Sequence, residues 1–128
     1  MKSHLREIVL YYDPESSSGK MTAAYARSLS HNVILYSYDK APPTVTGWRG
    51  ILQALGMEPK ELLDKSKEYY QSNIRGKDFD DEGWLNVIKN NPKLIKYPIA
   101  IRGKEAVFCS TPTSILKLVN KSNTERYH

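Results

Sequence analysis

Apolar residues along this chain come in short blocks whose period changes twice. Glu7-Ile8-Val9-Leu10-Tyr11-Tyr12 is a compact apolar run closed by Asp13-Pro14, the pattern of a buried strand ended by a turn. A Ser-Ser-Ser-Gly loop follows. From Lys20 to Leu29 the period lengthens, with Met21, Ala24, Tyr25 and Ser28 at helical spacing among alanines that favour a helix. Asn32 to Tyr38 is a second apolar run, closed by Asp39 and Ala41-Pro42-Pro43. Strand, helix and strand in succession predict a βαβ unit with parallel strands.

The middle of the chain is helical by pattern. Thr46 is placed to cap a helix carrying Trp48, Ile51, Leu52 and Leu55 on one face, and Gly56 to end it. Pro59 fits the first turn of a short helix with Leu62 and Leu63 inward. Asp80-Asp81-Glu82 open a third, whose Trp84, Leu85, Val87 and Ile88 face the core until Asn90-Asn91-Pro92 stops it. The strand period then returns. Residues 97–101 and 105–109 flank Arg102-Gly103-Lys104, which predicts an antiparallel hairpin. Ser110-Thr111-Pro112 offers a cap for a last helix through Ile115, Leu116 and Val119. This order predicts an α/β, thioredoxin-like fold: βαβ, a helical insertion, then ββα on a mixed four-stranded sheet. One domain is expected over residues 1–120, with a polar tail over 121–128.

Composition narrows the class. The chain has 128 residues, 40% hydrophobic and 26% charged, which fits an ordinary globular domain and not a low-complexity one. Its apolar runs fall far short of the ~20 residues of a membrane helix. Glu7 stands where a signal peptide would begin its apolar core. A cytoplasmic protein without membrane contact is expected. A single cysteine, Cys109, leaves no internal disulfide, and its place at a strand's end after Val107-Phe108 reads as a buried, inert thiol. His4, His31 and His128 lack ligand spacing, so no metal is expected. Trp48 and Trp84 read as core. The excess of tyrosine, nine against two phenylalanines, fits either a partner surface or half-buried strands.

Charge is uneven. The net value is +5, but residues 58–82 hold eight acids against five bases. The densest basic stretch runs through Lys89, Lys93, Lys96, Arg102 and Lys104 with no acid among them. It reads as a solvated face, with phosphate contact the lesser option, and nucleic acid is not expected as a partner.

Candidate chemistry concentrates in Asp13-Pro14-Glu15-Ser16-Ser17-Ser18-Gly19-Lys20, between a strand and a helix, where backbone N–H groups and the helix dipole favour an anion. A phosphate loop fails on detail. Its first glycine falls at Pro14, which has no N–H, and Met21 replaces the metal-binding hydroxyl after the lysine. Ser17-Ser18-Gly19-Lys20 also matches Ser-x-x-Lys, but without companion motifs.

The same segment resembles the opening of the arsenate reductase (ArsC)/Spx family, strand-Tyr-x-Asn-Pro-x-Cys-x-x-Ser-Arg. Asn91-Pro92-Lys93-Leu94-Ile95-Lys96-Tyr97-Pro98-Ile99-Ala100-Ile101 is similar to that family's Pro-x-Leu-[Ile/Leu]-x-Arg-Pro-Ile segment. Leu55-Gly56, Glu61-Leu62-Leu63 and Phe79-Asp80 fall in register, so the resemblance spans residues 6–119. It implies the thioredoxin-like fold and a cis peptide at Tyr97-Pro98 beside the Ser16 loop. It also places the family's nucleophilic cysteine at Ser16, its three arsenate arginines at Lys60, Tyr97 and Thr111, and the Spx-type cysteine pair at Ser16 and Gly19.

The expected function is therefore a binding or adaptor module whose catalytic cysteine is replaced. Its ligand site is expected at Ser16, Ser17, Ser18, Gly19, Lys20, Tyr97 and Pro98. The partner is a protein or a small anionic or thiol ligand, with no cofactor required and glutathione a possible ligand. Two alternatives stand beside it: a glutathione-dependent, arsenate reductase-like oxidoreductase, and an Spx-like regulator that contacts RNA polymerase.

Overall fold

The computed structural model describes residues 7–42 and 44–118. The tail at 121–128, Val119, His4 and His128 lie outside the described residues. The chain divides into two compact units, one made of the described residues up to Ser37 and from Tyr97 onward, the other of 38–96.

The first unit is built on a four-stranded sheet. Strand β1 (Ile8–Tyr12) pairs in parallel with β2 (Val33–Ser37), and helix α1 (Ser17–Leu29) makes the crossover. On its other side β1 pairs antiparallel with β3 (Ile99–Arg102), which pairs antiparallel with β4 (Glu105–Phe108), giving the order β2-β1-β3-β4. The register Arg102↔Glu105 leaves Gly103-Lys104 as a two-residue turn, and Gly103 has φ +61°, a conformation glycine reaches without Cβ strain. One face of the sheet packs Ile8, Leu10, Ala100, Val107 and Cys109 against Ala23 and Ala26 of α1 and against Ile115 and Leu118. Tyr11 and Tyr36, cross-strand partners, stack with centroids 5.6 Å apart. Burial, and then the neighbouring Tyr36, push the Tyr11 phenol above its ordinary range.

The inward face of α1 differs from the expected one. Thr22, Ala23 and Ala26 are buried, whereas Met21 is 54% exposed and Ala24 and Ser28 also face water. Thr22 tolerates complete burial because its hydroxyl donates to the Ser18 carbonyl at 2.9 Å. The last helical segment begins as a 3-10 turn at Pro112–Ile115 with Thr111 as its cap, and Leu118 is buried where Leu116 is exposed.

The second unit holds three short helices. Helix α2 (Val45–Leu55) is capped by Thr44 and not by Thr46: the Thr44 hydroxyl accepts from Gly47 N at 3.0 Å. It ends at Gly56, φ +68°. A 3-10 turn occupies Pro59–Leu62. Helix α3 (Glu68–Asn73), not expected from the pattern, buries Tyr70. Helix α4 (Asp81–Asn90) is capped by Asp80 and packs on α2. Trp48, Leu62 and Ile88 are wholly buried here, and Trp84 nearly so. Both tryptophans are core.

Candidate functional site

The Ser16 loop leaves the sheet at the end of β1. Asp13-Pro14-Glu15-Ser16 forms a turn with proline second, closed by Ser16 N donating to the Asp13 carbonyl at 3.0 Å. Asp13 Oδ1 accepts from Glu15 N at 2.9 Å, so that carboxylate is turned into its own loop. Ser16 is the N-cap of α1: its Oγ accepts from Gly19 N at 3.1 Å, and its carbonyl accepts from Lys20 N at 2.9 Å. The first turn of α1 contains no acid. Ser17, Ser18 and Lys20 are exposed, Ser16 is half-buried and Gly19 is buried. A Cβ at Gly19 would lie 2.7 Å from the Asp13 carbonyl oxygen and 3.3 Å from the Tyr12 ring. Glycine is there because the loop folds back onto the helix.

Register places the other expected residues. Tyr11↔Ile99 and Ile99↔Phe108 put the exit of β1, the start of β3 and the end of β4 at one end of the sheet. Residues 13–19, Tyr97-Pro98 and Thr111 therefore belong to the same end of the first unit. Pro98 is buried, and its carbonyl accepts from Cys109 N at 2.8 Å. Tyr97 is half-buried and meets Phe108 edge-on at 5.2 Å.

The expected cis bond at Tyr97-Pro98 is absent; no cis peptide occurs among the described residues. The trans form is the cheaper one even before proline, by ~0.5–1 kcal/mol. The chain bends at Tyr97, and the Pro98 carbonyl continues the β3–β4 pairing by one bond. Thr111 is spent on its own cap, its Oγ1 3.1 Å from Ser114 Oγ. Lys60 lies in the second unit, its Nζ 5.2 Å from the centre of the Trp84 ring, a cation–π contact.

Cys109 is fully buried, and desolvation pushes its thiol up to about 12. At neutral pH it is a core thiol, not a nucleophile. His31 is exposed, and among the described residues no three His, Cys, Asp or Glu side chains gather into a metal-binding group. Also among them, no helix is long and apolar enough to cross a membrane.

Similarity to known proteins covers nearly the whole chain. The sequence model of the ArsC family matches residues 11–118. The uncharacterized protein YfgD of Escherichia coli K12 is 23% identical over 116 residues, 89% of this chain and 98% of that one. Among solved structures, an arsenate reductase from Vibrio cholerae superposes with a TM-score of 0.79 at 22% identity, covering 88% of this chain and 98% of its own. A Staphylococcus aureus COL protein solved in solution gives 0.71 at 17% identity, over 86% and 96%. At such identities these structures show a shared fold, the thioredoxin-like α/β arrangement with a mixed sheet.

Proposed function

This chain belongs to the ArsC family, and we propose that within it the protein works by binding and not by thiol chemistry. The observation that carries this reading is the use made of Ser16. At the position where the family resemblance puts a nucleophilic cysteine, the hydroxyl accepts the Gly19 N–H and caps a helix. A serine hydroxyl stays protonated at neutral pH unless a base takes its proton, whereas a thiol at a helix start ionises readily. The one thiol in the sequence, Cys109, is buried with its pKa far above neutrality.

The retained feature is the polar, positively biased start of α1. Ser17, Ser18 and Lys20 are exposed, the helix dipole points at them, and no acid of the first turn offsets it. Tyr97, half-buried at the same sheet end, borders the proposed surface, while Pro98 beside it in the sequence is buried. Its occupant is a small anionic or thiol ligand, glutathione included, or a protein segment that presents such a group. Lys60, Tyr97 and Thr111 stand where the resemblance places the arsenate arginines, and none can supply a guanidinium fork.

The deciding experiment is arsenate reduction with glutathione and glutaredoxin. No turnover is expected, against the ~1–10³ s⁻¹ of ordinary enzymes. Turnover in that range would overthrow the binding reading in favour of a glutathione-dependent reductase. Affinity capture then separates the remaining alternatives, because stable retention of RNA polymerase would assign the chain to the Spx-like regulators.

A further inference from the structure

We propose that the helical unit carries an anion site of its own: a cleft of about 410 Å³ walled by Lys60, Lys65 and Lys96 takes a phosphate-bearing small molecule. The inference is independent of the Ser16 loop. Of its three lysines, Lys60 stands at a position that the family resemblance marks for an arsenate arginine, while Lys65 and Lys96 do not.

Three lysines line this cleft from two stretches of chain, 60–66 and Lys96, and a backbone frame holds the two stretches together. Leu63 and Ile95 form an isolated antiparallel bridge. Asp64 N donates to the Leu94 carbonyl at 2.7 Å and Lys96 N to the Leu62 carbonyl at 2.8 Å. Lys65 and Lys96 therefore stand on walls that are already fixed, which lowers the ordering cost of binding.

Two acids, Glu61 and Asp64, also line the cleft, and both are engaged by the local backbone. Glu61 Oε2 accepts from Glu58 N at 2.7 Å. Asp64 Oδ1 accepts from Ser66 N at 3.0 Å and from Ser66 Oγ at 2.6 Å. The Ser66 hydroxyl, together with the charges of Lys67 and Lys96, holds the Asp64 carboxyl below its ordinary range despite partial desolvation. Lys67 is anchored by its Nζ to the Lys93 carbonyl at 2.7 Å. With both acids counted, the lining still carries one net positive charge, and Lys67 acts on it from just outside.

Ammonium groups without a guanidinium fork bind phosphate as point charges. A cleft of this size lies in the range of organic-ligand pockets, ~300–1,000 Å³, so a phosphate monoester fits it better than a lone ion. AMP serves as the probe and adenosine as its control, each titrated into the ¹⁵N-labelled full chain and followed by NMR. Saturable shifts at Lys65, Ser66 and Lys96 with AMP alone are expected. Lys65→Ala/Lys96→Ala should weaken them about tenfold or more, and Lys40→Ala/Lys104→Ala, at exposed positions outside both sites, should not.

If the first double variant loses its native spectrum, Lys65→Gln replaces it, with about a threefold loss expected. Any of four results overturns the proposal: no saturation up to about 10 mM AMP, equal response to adenosine, AMP shifts confined to residues 16–20, or affinity indifferent to Lys65 and Lys96. The third would leave the Ser16 reading standing while this one falls.

Discussion

Helices α1 and α4 start alike and differ in what surrounds the start. Each is capped by a side-chain oxygen that accepts the N–H of a glycine three residues on: Ser16 to Gly19 at 3.1 Å, Asp80 to Gly83 at 2.7 Å. Around α4 the charge is settled, because Asp80, Asp81 and Glu82 place three carboxylates on the positive end of the helix dipole. Around α1 it is less so: the first turn holds no acid and Lys20 adds positive charge, while Asp13 and Glu15 stand just before the cap. One start is electrostatically complete and stabilises its helix. The other carries no acid inside the helix, and it is there that we propose a binding surface.

A thiol makes the comparison measurable. Ser16→Cys puts sulfur at the unsettled start, while native Cys109 sits in the core with its pKa pushed up to about 12. The introduced thiol should ionise well below the ~8.5 of a free cysteine. The two groups should then differ by more than about three pH units, or roughly 10³–10⁴ in thiolate fraction at pH 8. Iodoacetamide alkylation against pH, resolved by peptide mass, reads both at once. A pKa at or above 8.5 for residue 16 would mean that α1's start attracts anions no better than water does.

Cys109 also predicts a pH dependence with a definite sign. Its folded pKa lies above the unfolded value, so folding favours the neutral thiol. That contribution is complete below pH ~8.5 and is lost as pH rises toward 12, at up to about 1.4 kcal/mol per pH unit. Urea denaturation of the native chain and of Cys109→Ala should therefore show stabilities that converge or cross between pH 9 and 11. Parallel curves would show that the thiol is hydrated in the folded state.

Much of the fold was legible because strand and helix periods are local, and apolar blocks such as Ile8–Tyr12 or Trp84–Ile88 state their element in a few residues. What failed depended on context. The sequence pattern puts the cap of α2 at Thr46, yet the structure repeats one spacing at three helix starts: Ser16 and Gly19, Thr44 and Gly47, Asp80 and Gly83. That spacing is visible in the sequence and points to Thr44. Helix α3 escaped because six residues with Tyr70 alone buried show no period. The buried face of α1 departs from the pattern because the Thr22 hydroxyl, satisfied by the Ser18 carbonyl, is as buriable as a methyl, which polarity alone does not reveal. At the candidate site the residues of the Ser16 loop were legible as a group. The reason for Gly19 was not, because the Asp13 carbonyl reaches it only after the chain has turned back.

The two glycines should answer differently to alanine. At Gly19 the new Cβ would lie 2.7 Å from a backbone oxygen, so the loop must shift. Gly19→Ala should cost about 1–3 kcal/mol despite its better helix propensity. At Gly83 the nearest atoms, at 2.9 Å, are Asp80 Oδ1 and Phe79 Cβ; the carboxylate can rotate away by loosening its cap, whereas Phe79 Cβ moves only with its own backbone. Gly83→Ala should then cost less than Gly19→Ala, because no backbone atom blocks it and the propensity gain offsets part of the loosened cap and of the Phe79 shift. Equal losses in urea denaturation would break the claim that only the α1 start is closed by backbone.

The smallest effect separates the caps themselves. Ser16→Ala and Asp80→Ala each remove one acceptor from a helix start, which costs about 0.5–2 kcal/mol. They should part in their response to salt. Ser16 is neutral, and its contribution is a half-buried hydrogen bond to Gly19 N, so the loss on truncation should be the same at low and high ionic strength. Asp80 is exposed and adds charge–dipole attraction to its bond, and salt screens that part. Asp81 and Glu82 remain beside it, so the loss is further moderated by relief of repulsion among three acids. Asp80→Ala should therefore cost more at about 0.01 M salt than at about 1 M, where the Debye length falls from roughly 30 Å to 3 Å. Asp80→Asn, which keeps an acceptor without the charge, should retain only the salt-independent part. A salt-dependent loss on Ser16→Ala would show that the serine reports on charge already bound at α1, and the two starts would then be more alike than their sequences suggest.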